Sequence, residues 1–258
     1  MSDVVLDRVW SRSSGVTGRD SGDHDVLEWY EEHVPTDGTP WLRVNFVSSI
    51  DGAVTVDGLS GGLGSDADRR VFDLLRVACD VVVVAAGTVR AEGYGPLVVD
   101  GHHADLRTAL GFEAQPRFGI VSGSLDLDPD DRIFREAPVR PLVLTARRAD
   151  RGKRSALEEV ADIVECGDER VDGVELRSAL ADRGLRRIHS EGGPALFGEL
   201  IRSGAVDEVC LTISPLLAGG DAGRISSGAV PPTPVGLELA HVVQSDGTLL
   251  LRYVRSGA

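Results

Sequence analysis

Four short β-like runs, at residues 42–47, 81–85, 118–121 and 142–145, are separated by stretches long enough to hold helices, and this spacing restricts the chain more than any other feature. Short apolar runs without strict alternation suit strands buried on both faces, which occur in parallel sheets covered by helices. Residues 65–78 place Val71, Leu74, Leu75 and Ala78 at helical spacing, and residues 174–183 do so with Leu176, Ala179 and Leu180 ahead of a Gly184 stop. A further run at 187–189 leads into the turn Glu191-Gly192-Gly193-Pro194, after which 195–203 reads as a helix ended by Gly204. Three more strand patterns follow at 208–213, 238–244 and 249–254, the last two joined by Ser245-Asp246-Gly247, whose Asp-Gly suits a hairpin. The expected fold is α/β: a mostly parallel sheet flanked by helices, with an antiparallel C-terminal hairpin. Residues 11–25, rich in Ser, Gly and Asp, read as a loosely ordered leader. The chain therefore divides into a partly flexible N-terminal extension over 1–40 and a single domain over 41–258.

Charge narrows the partners. With 27 basic against 41 acidic residues the formal net charge is −14, which argues against nucleic acid, because a phosphate-backbone partner needs a basic face. A local basic pocket for a phosphorylated small molecule remains compatible with this balance. Cys79, Cys166 and Cys210 are odd in number and far apart, so they spell neither a disulfide framework nor a metal motif, and a cytoplasmic location is expected. No apolar stretch approaches the roughly 18 residues of a membrane span.

Two glycine turns carry the chemistry. In Glu191-Gly192-Gly193-Pro194 the glycines let a backbone approach a ligand and Pro194 suits the first helical position, whose free N–H groups attract a pyrophosphate. A plain strand-to-helix turn explains the same residues. Ala85-Ala86-Gly87-Thr88 follows the apolar run 81–84 and so lies at a strand's carboxyl end, where open α/β sheets bind ligands; the plainer reading makes Thr88 a helix N-cap. Neither G-x-G-x-x-G nor a P-loop occurs. A long glycine-rich excursion runs from Ser48-Ser49-Ile50-Asp51-Gly52 through Ser60-Gly61-Gly62, a length and composition that serve ligands or turns. Asp68 has two readings: the acidic member of a Ser65-x-x-Asp68 capping box, or a site carboxylate. Arg76, eight residues along the same helix, is either a solvated arginine or a ligand for a phosphate or carboxylate.

Taken in order, Ser49-Ile50-Asp51-Gly52, Leu74-Leu75-Arg76, Ala86-Gly87-Thr88-Val89, Ser190 through Pro194, and Asp207-Glu208-Val209 through Ser214-Pro215-Leu216-Leu217 resemble the reductase family of riboflavin biosynthesis over about residues 41–254. The resemblance implies a dihydrofolate-reductase-like fold, NADPH as hydride donor, a pyrimidine-like heterocyclic substrate, no metal and a homodimer. Carried over by position, it puts Gly87, Thr88, Gly192, Gly193, Pro194, Ala195 and Leu196 at the cofactor, with Val47 and Ser122 nearby, and Ser60, Arg76 and Glu191 toward the substrate. Asp68 and Glu191 are the expected catalytic carboxylates, and Asp51 shapes the loop beside the nicotinamide. The zinc deaminase of bifunctional members has no counterpart here. Two departures stand out: after Thr88 the chain reads Arg90-Ala91-Glu92-Gly93-Tyr94-Gly95-Pro96 and lacks the family's phosphate-binding arginine, and Asp68 is similar to the pterin-binding carboxylate of dihydrofolate reductases. These leave a pterin reductase, or a cofactor binder without efficient turnover, as alternatives.

Overall fold

The computed structural model describes residues 4–12, 18–20, 22–231 and 233–256. The N-terminal part forms β1 (Asp7–Ser11), β2 (Gly18–Arg19) and α1 (Asp23–Glu31). The parallel part follows as β3 (Trp41–Ser49), α2 (Asp66–Val77), β4 (Val81–Ala85), α3 (Ala86–Glu92), α4 (Gly101–Ala109) and β5 (Arg117–Val121). It continues with α5 (Arg132–Arg135), β6 (Leu142–Thr145), α6 (Arg151–Glu158), β7 (Asp162–Glu165) and α7 (Gly173–Ala181). Last come β8 (Arg187–Gly192), α8 (Pro194–Arg202), β9 (Glu208–Ser214), β10 (Leu237–Ser245) and β11 (Thr248–Arg255).

All strands join one sheet, in the order β2-β1-β10-β11-β9-β3-β8-β4-β5-β6-β7. From β9 to β7 every pairing is parallel, and from β9 back to β2 every pairing is antiparallel. The expected mostly parallel sheet with an antiparallel hairpin is present, and Asp246 and Gly247 take φ of 47° and 82°, as a type I′ hairpin turn requires. Core clusters line both faces: Leu42, Val44, Val83 and Ile188 pack under α7 and α8, while Val82, Val84, Phe118 and Ile120 pack on the opposite side. This two-sided burial is why these strands read as unbroken apolar runs.

One expectation changes. The leader of residues 11–25 includes β2 and the start of α1, and α1 buries Val26, Leu27, Trp29 and Tyr30 against α2; residues 13–17 and 21 of that stretch lie outside the described residues. Both hairpin strands are paired on their outer sides, β10 by β1 and β11 by β9. The chain returns late to place β8 between β3 and β4, so the carboxyl ends of these three strands open together on one crevice.

Candidate active site

A cavity of about 520 Å³ occupies that crevice, between α2, the start of α3 and the β8–α8 turn. Its floor is Phe46 on β3, stacked on Phe197 at 4.8 Å between ring centres. The register between β4 and β8 slips here, Val83 facing Ser190 and Val84 facing Gly192, so Glu191 is the extra residue of a bulge beside the cleft. Gly192 and Gly193 follow at φ of 123° and 105°. A Cβ on Gly193 would lie 2.3 Å from that of Ala85, so only glycine lets the two turns touch. Pro194 opens α8, whose N-terminus has no side-chain cap. This leaves a backbone-walled, positively polarised cradle for an anion.

The other predicted cofactor residues divide. Val47 and Thr88 line the cleft, and a Cβ on Gly87 would meet nothing within 4 Å, so backbone is open to a ligand there. Thr88 is not the N-cap of α3; Ala85 holds that position and no side chain caps it. Ala195 is exposed in the first turn of α8, whereas the Leu196 side chain is buried in the core, which leaves only its backbone for a ligand. Ser122 is buried at the end of β5, its N–H given to the Leu144 carbonyl, and lies outside the cleft.

On the substrate side, Ser65 caps α2 by accepting the Asp68 N–H at 3.2 Å, while the Asp68 carboxylate lines the cleft near Thr212 of β9. Gly64 makes room for it, since a Cβ there would lie 3.1 Å from Asp68 Oδ2. Burial raises the Asp68 pKa, with Thr212 and Arg69 opposing. Arg76 donates to Glu191 twice, Nε to Oε1 at 2.5 Å and Nη2 to Oε2 at 2.8 Å, and lies over the Phe72 ring. Tyr94 adds a hydroxyl to Glu191 Oε2 at 3.2 Å. The Glu191 side chain is wholly buried beneath these partners, which places it behind Arg76 rather than in the open cleft. Below it His189 is also buried, which lowers its pKa to about 4 and keeps it neutral. The C-terminal end of α2, which carries Arg76, is held by the buried Arg107, whose Nη1 donates to the carbonyls of Arg76, Val77 and Cys79. Ser60 sits in a single 3₁₀ turn, its N–H given to Glu92 Oε1 at 3.0 Å, and both residues line the cleft.

Asp51 lies elsewhere. It accepts the Ser49 hydroxyl and the N–H groups of Ala218 and Gly219, at 3.2 and 2.7 Å, beside a second cavity. Those bonds, Ser49 first, lower its pKa to about 2, and the role they describe is a tether between two loops. From that tether the chain runs on to α8, where the Ser227 N–H meets the Pro194 carbonyl at 2.9 Å and Ile225 reaches the cleft. Tyr94, Glu92, Thr212 and Ile225 were not singled out from the sequence. The departure from the family pattern at residues 90–96 was the one signal from which Tyr94 could have been found.

Residues 40–251 match the family described as the RibD C-terminal domain. The chain belongs to this family. A relative from Archaeoglobus fulgidus, named 2,5-diamino-6-ribosylamino-4(3H)-pyrimidinone 5′-phosphate reductase, is 30% identical over 182 residues, covering 70% of this chain and 83% of the relative. Among solved structures, a pyrimidine reductase-like protein of Corynebacterium diphtheriae is similar with a TM-score of 0.76 and 28% identity, covering 90% of this chain and 99% of that one. Dihydrofolate reductase of Enterococcus faecalis shares the fold at a TM-score of 0.50 and 15% identity, covering 84% of this chain and 96% of its own. The RibD-type reductase domain and its dihydrofolate-reductase-like sheet are therefore both present.

Proposed function

We propose that the protein is an NADPH-dependent reductase of a phosphoribosylaminopyrimidine in riboflavin biosynthesis. One observation carries the reading: an anion cradle of glycine backbone at Gly192 and Gly193 opens into the same cleft as Asp68 and Arg76. The bound nicotinamide would supply the hydride. The chain's residues then bind and orient: Gly87, Thr88, Gly192, Gly193, Pro194 and the Ala195 and Leu196 backbone toward the cofactor, Arg76, Ser60 and Asp68 toward the substrate. Glu191 acts through Arg76, fixing its guanidinium by a bidentate pair.

The test is to follow NADPH oxidation with the phosphoribosylaminopyrimidine and, separately, with dihydrofolate. Turnover of the first supports the proposal, and turnover of dihydrofolate alone replaces it with a pterin reductase. The half-buried Asp68 favours that second reading, since a carboxylate on α2 suits an amidine-like ring edge. We place the protein in the cytoplasm, consistent with three free, buried cysteines and, among the described residues, no helix long and apolar enough to cross a membrane. A homodimer belongs to the same reading. The exposed Leu217, Val230 and Val235 support it, and a dimer mass at micromolar concentration is the expected result.

A further inference from the structure

We infer that His189 is a positioning residue of the substrate site: it takes hold of Glu191 when a bound substrate draws Arg76 forward. This rests on the reading of Arg76 as a substrate ligand given above. His189 on β8 lies beside Arg43 of β3, and Arg43 beside Glu208 of β9, so the three form one row across the sheet. Arg43 is committed to Glu208 and to the Tyr30 carbonyl, and its guanidinium has donors only. The imidazole is wholly buried, and among the described residues neither ring nitrogen has a hydrogen-bond partner. An unpaired buried polar group is a standing cost to the fold, which calls for a reason in what the protein does.

Glu191 supplies the reason. His189 Nε2 stands 3.8 Å from Glu191 Oε1, a little beyond a hydrogen bond, and that oxygen is the one bound by Arg76 Nε at 2.5 Å. Arg76 gives Nε and Nη2 to Glu191 and rests on the Phe72 ring at the cleft wall, while its Nη1 makes no hydrogen bond among the described residues. A substrate oxygen on Nη1 pulls the guanidinium outward over that ring, which lengthens its bonds to Glu191 and leaves Oε1 short of a donor. The Nε2–H of a neutral imidazole then closes on Oε1 and keeps the buried carboxylate hydrogen-bonded. Burial holds the ring neutral, with Arg43 and Arg76 acting the same way and Glu191 and Glu208 opposing. A charged ring would instead compete with Arg76 for Glu191 in the free protein.

The test uses the intact chain, with the phosphoribosylaminopyrimidine and oxidised cofactor for binding and NADPH for turnover. Ring-nitrogen NMR should show the His189 Nε2–H unbonded in the free protein and hydrogen-bonded once the pyrimidine is added. His189→Leu should melt no lower than wild type, because two unpaired polar atoms are gone, yet raise KM about tenfold or more with a smaller change in kcat. His189→Gln, which carries an N–H near the Nε2 position, should restore most of KM. A His189→Leu that melts lower and is not rescued by Gln marks a structural residue and overturns the inference. So does a wild-type KM in His189→Leu, or a ring signal that the pyrimidine leaves unmoved; both leave the reading of the cleft standing. A wild type that neither binds nor reduces the pyrimidine overturns that reading, and this inference with it.

Discussion

Ser65 and Asp68 divide what a capping box would combine, the serine hydroxyl holding the helix start and the carboxylate facing Thr212 and the cleft. The two roles are therefore separable by mutation. Ser65→Ala should cost about 1 kcal/mol of stability with turnover by the folded enzyme intact. Asp68→Asn should lower kcat/KM roughly 100-fold, about 2.7 kcal/mol at the transition state, while cofactor affinity holds. Because burial raises the Asp68 pKa above its unfolded value, the ionised form costs stability above the folded pKa, and that cost disappears as pH falls through it. The Asn variant should thus melt no lower than its parent at neutral pH, and wild-type kcat/KM should fall on acidification through the raised pKa while the variant's acid limb is flat. A variant that melts early and turns over normally would return Asp68 to the helix cap. Glu191→Gln tests the positioning role: it leaves Arg76 half compensated in a buried setting, so a stability loss on the order of 3 kcal/mol and a rise in KM larger than the fall in kcat are expected. A drop in kcat at constant KM would instead put Glu191 on the reacting atoms.

Between elements, backbone sterics decide which substitutions report on ligand binding. A β-branched residue at Gly193 would strain a φ of 105° and overlap Ala85, so it should unfold the turn before it reports on a cofactor. Gly87 is the cleaner probe: Gly87→Val projects into open space from a helical backbone and should weaken the nicotinamide dinucleotide tenfold or more, with the melting temperature nearly unchanged. Equal affinity would remove the β4–α3 turn from the site. Gly198→Ala addresses the loop around Ser227, since its Cβ would lie 1.8 Å from the Ser227 carbonyl oxygen. Faster hydrogen exchange over residues 215–236 with weaker cofactor binding is expected, and exchange like the parent's would show that this loop is held elsewhere. The parallel strands were legible because burial on both faces makes an unbroken apolar run, and the Asp246-Gly247 hairpin because few residues accept its φ values. By contrast β7 was not read, its Asp162 and Glu165 being exposed on an edge strand. The site carboxylates were legible as residues and not as contacts: Asp68 meets Thr212, and Tyr94 meets Glu191, only through the fold, the latter pair 97 residues apart. Arg43 inside an apolar strand run was the unread sign of a buried ion pair.

That ion pair joins the antiparallel side of the molecule to its N-terminal segment. Glu208 on β9 accepts Arg43 Nε at 2.6 Å, Arg252 Nε at 2.8 Å and Trp41 Nε1 at 2.8 Å, all in the interior. Burial alone would raise its pKa, but Arg252 and Arg43 hold the carboxyl far below the ordinary glutamate range. The remaining guanidinium donors reach the chain around α1: Arg43 Nη2 gives to the Tyr30 carbonyl at 2.6 Å, and Arg252 gives to those of Trp29 and Glu32. Composition made residues 1–40 read as a partly flexible extension, yet among the described residues Leu6 and α1 pack into the core. Deleting residues 1–40 would uncover the surface covered by Leu6, Val26, Leu27, Trp29, Tyr30 and Val34, all buried. At about 1.5–3 kcal/mol for each large apolar side chain, the loss is on the order of 10 kcal/mol, comparable with the entire stability of a domain. It would also strip carbonyl acceptors from two buried guanidiniums that keep Glu208, at about 1–3 kcal/mol for each donor left unsatisfied. The shortened chain should therefore fail to fold or lose cooperative melting, and adding back a peptide of residues 1–40 should restore part of it. If the shortened chain instead melts with the parent's midpoint and binds the cofactor equally, α1 is an appendage, and the guanidiniums must find water where the Tyr30, Trp29 and Glu32 carbonyls now stand.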